Sequence, residues 1–377
     1  MNFQFDEEQQ ALADSVAKII EREYDFEARK RIVASDAGHS PSVWESMAEM
    51  GIILLPMSEP AGGFGMGSLA LFPVMEQIGK GLLVEPLVET LIATRLLDRL
   101  DATNQADLLA SVAAGKARLS FAHLEGNTST DLLDLAVTAS GSGSDVKLSG
   151  SKSMVILADS ADKILVSASG GKAGDKRSVG LYLVDANASG LTRRTMRTID
   201  NHRACDIEFD NCSAQTVGAV GEGYAALEEA LDFGTMLVCA EAVGAMAYAN
   251  ETTLEYLKTR QQFGTPIGAF QALQHRMVDM TISCEQARSI TYLACDALDK
   301  ADNSEEAASN RRRLVSAAKI KVSDAAKHVG EEAIQLHGGM GMTNEMKVSH
   351  TFKRLTMIAA AFGDVDFHLD RFAAAGR

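Results

Sequence analysis

The feature that most constrains this chain is a change of period in its middle hundred residues. Up to about residue 118, and again from Tyr224 to Asp370, apolar residues recur at helical spacing. From Leu119 they fall instead into short β-type runs at 145–150, 163–169, 179–185 and 205–210. Turn-forming clusters at 141–144, 170–174 and 187–190 separate these runs, with no helix between them. Short strands without intervening helices predict an antiparallel β-barrel or sandwich ending near Gly223. The expected fold class is therefore α+β, with a helical segment over 1–118, a β segment over 119–224 and a helical segment over 225–377.

Within the first segment, Asp6 and the acids after it open a helix at the end where negative charge is favoured. A short amphipathic helix carries Trp44, and the glycine-rich stretch at 62–67 reads as a structural turn. It lacks the strand and lysine of a phosphate-binding loop. The last segment is broken at 301–304, at 338–341 and, most sharply, at 260–271. There Gly264, Pro266 and Gly268 forbid a helix between two long helical patterns, which leaves Arg260 at the exit of the first. A guanidinium so placed can hold a diphosphate in a forked way, and Phe263 and Phe270 offer flat faces to an adenine. The same residues also fit an ordinary helical hairpin with a surface arginine, which is the commoner arrangement.

With 377 residues the chain can bury a large core and is expected to divide into two or three domains. Hydrophobic residues make up 46% of it, and no run reads as apolar enough to span a bilayer, so a soluble protein with no membrane insertion is expected. Its start lacks the basic and apolar regions of a signal peptide, and its five cysteines show no metal-ligand spacing. A reducing, cytoplasmic setting without a metal is the expectation. The net charge of −15 argues against nucleic acid as a partner.

Three motifs carry a family resemblance. RQQFGTPIGAFQALQHRMVDM from Arg260 resembles one signature of the acyl-CoA dehydrogenases, and AIQLHGGMGMTNE from Ala333 resembles a second. MAEMGIILLP from Met47, followed by Gly62, Gly63, Phe64 and Gly65, is similar to the family's N-terminal motif. The resemblance implies a helical domain, a middle β domain and a C-terminal four-helix bundle. It implies FAD as cofactor, an acyl-CoA substrate, α,β-desaturation, a tetramer and an electron-transfer flavoprotein as acceptor. The acidic surface does not exclude an anionic CoA thioester, because local Arg and Lys placement decides that. In the family each flavin is shared between subunits, and the positions acting across the interface correspond to Arg260, Phe263, Ile267, Phe270, Gln271, Gln335, Gly338 and Gly339.

The sequence departs from the family in the residues that act within one subunit. The reaction needs a carboxylate to take a weakly acidic proton beside the thioester carbonyl. The two positions the family uses for it correspond to Phe362 and Gly234. Asp364 lies close to the first, where the family's flavin-contacting Thr would stand, and can also be read as a helix cap. Glu241 lies two turns from Gly234 and can also be read as an ion-pair member. The flavin-facing hydroxyl positions correspond to Leu124 and Ile156, and the Trp position to Met154. This pattern resembles the base-less subunit of heteromeric acyl-CoA dehydrogenases of steroid side-chain or pimeloyl-CoA type, as do segments 78–86 and 362–369. The expected partner is then a related acyl-CoA dehydrogenase chain. The alternatives are a self-sufficient homo-oligomer using Asp364, and a flavin monooxygenase on the same fold.

Overall fold

The structure, a computed structural model, describes residues 5–126, 131–141, 145–172, 174–219, 221–301 and 304–375. Parts of the turn clusters expected at 141–144, 170–174 and 301–304 lie outside the described residues. The leading helices are α1 (Glu7–Glu23), α2 (Phe26–Ala34), α3 (Pro41–Glu49), α4 (Ser68–Gly81), α5 (Leu87–Asp101) and α6 (Ala106–Ala113). Asp6 opens α1 with a capping box, its Oδ1 accepting the Gln9 N–H at 2.8 Å while Gln9 reaches back.

Seven strands follow: β1 (Leu119–Ala122), β2 (Thr138–Ser140), β3 (Val146–Ile156), β4 (Lys163–Ser169), β5 (Val179–Asp185), β6 (Leu191–Arg197) and β7 (Arg203–Val217). Then come α7 (Gly223–Thr259), the short strands β8 (Gln261–Gln262) and β9 (Thr265–Pro266), α8 (Gln271–Asp299), α9 (Glu305–His337), α10 (Lys347–Ala360) and α11 (Val365–Ala375). By packing, the chain forms two compact units. One comprises Met1–Lys30, Gly67–Leu83 and Thr235–Arg377; the other comprises Arg31–Met66 and Val84–Gly234.

In the second unit the sheet runs β1-β4-β2-β3-β7-β5, and β5 also pairs with β4, which closes the strands into a ring. Most pairings are antiparallel as expected, but β1–β4 and β2–β4 are parallel. Parallel neighbours need a long connection, and here the β2–β3 hairpin lies between β1 and β4. Inside sit Leu148, Ile164, Val166, Val184, Ile207 and Phe209. Lys152 is fully buried and donates to Glu125 Oε1 at 2.7 Å, the His123 carbonyl at 2.9 Å and Ser167 Oγ at 3.2 Å. Burial lowers its pKa to about 8 against the pull of Glu125. The pair fastens the segment after β1 to β3, because Glu125 also accepts the Ala136 and Val137 N–H groups.

In the first unit α9 packs against α8, α10 and α11, four helices in all. Gly79 of α4 and Gly244 of α7 let these two backbones touch, because a Cβ on either would run into a carbonyl of the other helix. Asp299 supplies the start of α4, accepting the N–H groups of Ser68 at 2.7 Å and Leu69 at 2.8 Å. The 37-residue α7 corrects one expectation. By length and composition it contains a stretch apolar enough to cross a bilayer, but 89% of that window is buried within the protein, as befits a core helix.

Candidate active site and cofactor cavity

The loop after α7 closes on itself. Arg260 N–H still donates to Tyr256 O, and the Ile267 N–H donates to Arg260 O, both at 2.8 Å. Between them β8 and β9 pair, Gln261 with Pro266 and Gln262 with Thr265. Phe263 (φ 54°) and Gly264 (φ 78°) form the two-residue tip, both left-handed as a tight hairpin requires. The expected loop is thus a miniature hairpin. It thrusts the Phe263 ring 91% into solvent, edge-on to Phe270 at 6.1 Å.

Behind the hairpin lies a cavity of about 560 Å³. Arg260, Gln262 and Ile267 form one wall, and Gln335, Gly338 and Gly339 at the end of α9 form the other. Five of the expected site residues are therefore brought together: Arg260, Ile267, Gln335, Gly338 and Gly339. Phe263, Phe270 and Gln271 stand outside its lining, at the hairpin and the start of α8. The Arg260 side chain is exposed and makes no hydrogen bond or ion pair among the described residues. Gly338 needs its glycine for a φ of 60°, but nothing among the described residues lies within 4 Å of where a Gly339 Cβ would stand. The bare backbone there faces open space.

Seven further lining residues escaped the reading of the sequence, Tyr256, Arg276 and His337 among them. Tyr256 precedes Arg260 by four residues and so shares its helix face, which was legible. Arg276 bonds Glu332 Oε2 through Nε at 2.5 Å. His337 is 2% exposed and stacks on Tyr256 at 4.5 Å. Its Nδ1 bonds the Ala333 carbonyl at 2.8 Å, which makes Nε2 an acceptor, and that buried atom has no partner among the described residues. Burial lowers the imidazole pKa. An unpaired guanidinium, an amide, apolar side chains and bare backbone around such a volume fit the adenosine diphosphate half of a dinucleotide.

The carboxylates near the reaction positions are engaged elsewhere. Asp364 is exposed and caps α11, its Oδ1 accepting the Phe367 N–H at 2.9 Å. Glu241 is 1% exposed and bonds Arg354 Nε and Nη2 at 2.5 and 2.7 Å. Phe362 sits half-buried at φ 56° in a turn fixed from three sides. His368 bonds its carbonyl at 3.1 Å, and buried Lys319 donates to Ala359 O at 2.9 Å and Gly363 O at 2.8 Å. Burial brings the Lys319 pKa down to about 8. Gly234 lies within α7. In the second unit Leu124 is 45% exposed. A bulge in β3 between Lys152 and Val155 turns Met154 to φ 54°.

Comparison with known proteins spans nearly all of the chain. Family profiles for the N-terminal, middle and C-terminal domains of acyl-CoA dehydrogenase match residues 6–116, 120–212 and 221–376. The L-prolyl-[peptidyl-carrier protein] dehydrogenase of a Serratia species is 28% identical over 358 residues, covering 92% of this chain and 90% of that protein. The solved Tcur3481-Tcur3483 steroid ACAD, a variant form, is 28% identical at a TM-score of 0.88, covering 98% and 97% of the two chains. The FAD complex of PigA is 26% identical at a TM-score of 0.89, covering 99% and 98%. From hairpin to β ring, this chain belongs to the acyl-CoA dehydrogenase family, FAD-binding oxidoreductases acting on CH–CH bonds.

Proposed function

We propose that this chain is the base-less subunit of a heteromeric acyl-CoA dehydrogenase, completing the flavin site of a related partner chain across their interface. The observation that carries the reading is a one-sided division of labour. The cavity behind the hairpin keeps an unpaired Arg260, Gln335 and the open Gly338–Gly339 backbone. In contrast, Phe362 and Gly234 offer no carboxylate, Asp364 is a helix cap, and Glu241 is committed to Arg354. Leu124, Met154 and Ile156 offer a flavin ring no hydroxyl.

When bound, FAD supplies the acceptor for the hydride that leaves the β-carbon of the acyl thioester, and an electron-transfer flavoprotein reoxidises it. The work of this chain is to bind and orient. Arg260 neutralises diphosphate charge through forked hydrogen bonds, Ile267 gives an apolar wall, and the Gln335 amide and Gly338–Gly339 backbone meet the dinucleotide at close range. The proton next to the thioester carbonyl is taken by the partner's carboxylate. A steroid ACAD built from two differently named chains stands among the similar structures and supports the heteromeric reading.

Co-expression with a related, carboxylate-bearing acyl-CoA dehydrogenase chain tests this. The expected product is a mixed oligomer holding fewer flavins than chains, while the chain alone purifies colourless. A homo-oligomer of this chain carrying flavin in every subunit, and active on acyl-CoA, contradicts the proposal.

A further inference from the structure

We propose that Arg276 is a second guanidinium for the diphosphate of the dinucleotide in this cavity, held in position by Glu332. The inference rests on the reading above, because it assigns a further residue to the same cavity. Arg276 lines the cavity from α8, whereas Arg260 lines it from the hairpin. Its Nε is bonded to Glu332 Oε2 at 2.5 Å, which leaves the two terminal nitrogens and their hydrogens for another acceptor. Glu332 precedes Gln335 by three residues and Leu336 by four on α9, and both of these line the cavity. The ion pair is therefore anchored one turn back from the α9 end that faces the ligand.

Two observations make a ligand role more economical than a simple clasp between α8 and α9. Arg276 is 36% exposed and Glu332 24%, and a half-exposed pair of this kind stabilises a fold little. The chain as a whole carries −15, so only local cations favour a diphosphate, and one arginine matches only part of that anion's charge. A side chain already tethered by its neighbour loses less freedom when it takes up a ligand, which is what Glu332 provides.

Two variants break the same ion pair in opposite senses, Arg276→Gln and Glu332→Gln. Titration calorimetry of the full chain with ADP reads both, and a melting curve confirms that each folds. Arg276→Gln should weaken ADP binding about tenfold. Glu332→Gln should weaken it by no more than about threefold, because the glutamine amide oxygen still accepts the Arg276 Nε–H and keeps part of the tether. Equal losses in the two variants, or no loss in Arg276→Gln, overturn the proposal. Arg260→Ala is the reference: if it weakens ADP binding and Arg276→Gln does not, the cavity keeps its cofactor role and this inference alone falls. Failure of the parent to bind millimolar ADP, or indifference to both arginines, overturns the cofactor reading as well. FAD should displace the ADP. Displacement by CoA and not by FAD would reassign the diphosphate to the thioester tail and overturn the assignment.

Discussion

Replacing Arg354 by alanine would leave the Glu241 carboxylate buried without a counter-ion. The guanidinium meets both carboxylate oxygens, at 2.5 and 2.7 Å, and Glu241 is 1% exposed. No other partner of that carboxylate occurs among the described residues. Removing one member of a buried pair costs about 3–5 kcal/mol. At roughly 2–4 °C per kcal/mol for a unit of this size, the melting temperature should fall by about 6–20 °C. Glu241→Gln should cost less, on the order of 1–2 kcal/mol, because the Arg354 side chain is 16% exposed and can turn towards water. Removing both charges together, as Glu241→Leu with Arg354→Met, should recover most of the loss. Circular-dichroism melts of the three variants read these differences. The same series asks whether Glu241 takes the substrate proton. If Arg354→Ala melts with the parent while Glu241→Gln abolishes dehydrogenation in the mixed oligomer, the ion-pair reasoning is wrong and Glu241 is the base.

Asp364→Asn should leave both turnover of the mixed oligomer and melting unchanged, since asparagine caps a helix as well as aspartate; loss of activity in steady-state assays would reinstate Asp364. Glu76 sets a pH dependence. It lies 3.1 Å from Arg288, but burial outweighs that partner and lifts its carboxyl to about 7. The folded state thus holds an extra proton between the ordinary carboxyl range and about pH 7, so stability should fall as pH rises through that window, by as much as about 3 kcal/mol. Glu76→Gln should flatten the plot of melting temperature against pH from 5 to 7.5, and an unchanged slope would refute the assignment.

The sequence made the alternation of helical and β segments legible because its signal is local: period, turn residues and caps. It did not make β6 legible. Leu191–Arg197 reads Leu-Thr-Arg-Arg-Thr-Met-Arg, with little apolar alternation, because this strand lies beside β7 off the main run of the sheet and is mostly exposed. The parallel β1–β4 pairing was also hidden, since it joins residues some forty positions apart. At the cavity, the residues inside the two recognised motifs were nameable from sequence. Arg276 and His337 lie inside those motifs too, but their roles depend on α7 and α9 ending at the same place. Whether a carboxylate is available was likewise undecidable from order alone. Sequence order shows neither the α11 cap that engages Asp364 nor the Arg354 that engages Glu241.

Flavin retention in the mixed oligomer carrying Arg260→Ala bears most closely on the proposed role of this chain. In the proposed reading Arg260 belongs to the subunit that supplies no carboxylate, so its loss should not touch the proton transfer itself. Loss of a charge-assisted contact of about 1.5–3 kcal/mol should weaken flavin binding tenfold or more. Gel filtration at low flavin should then strip the complex, and excess FAD should restore acyl-CoA dehydrogenation to near the parent rate. Full flavin content in Arg260→Ala, with activity instead abolished by Asp364→Asn, would mean that this chain is its own enzyme.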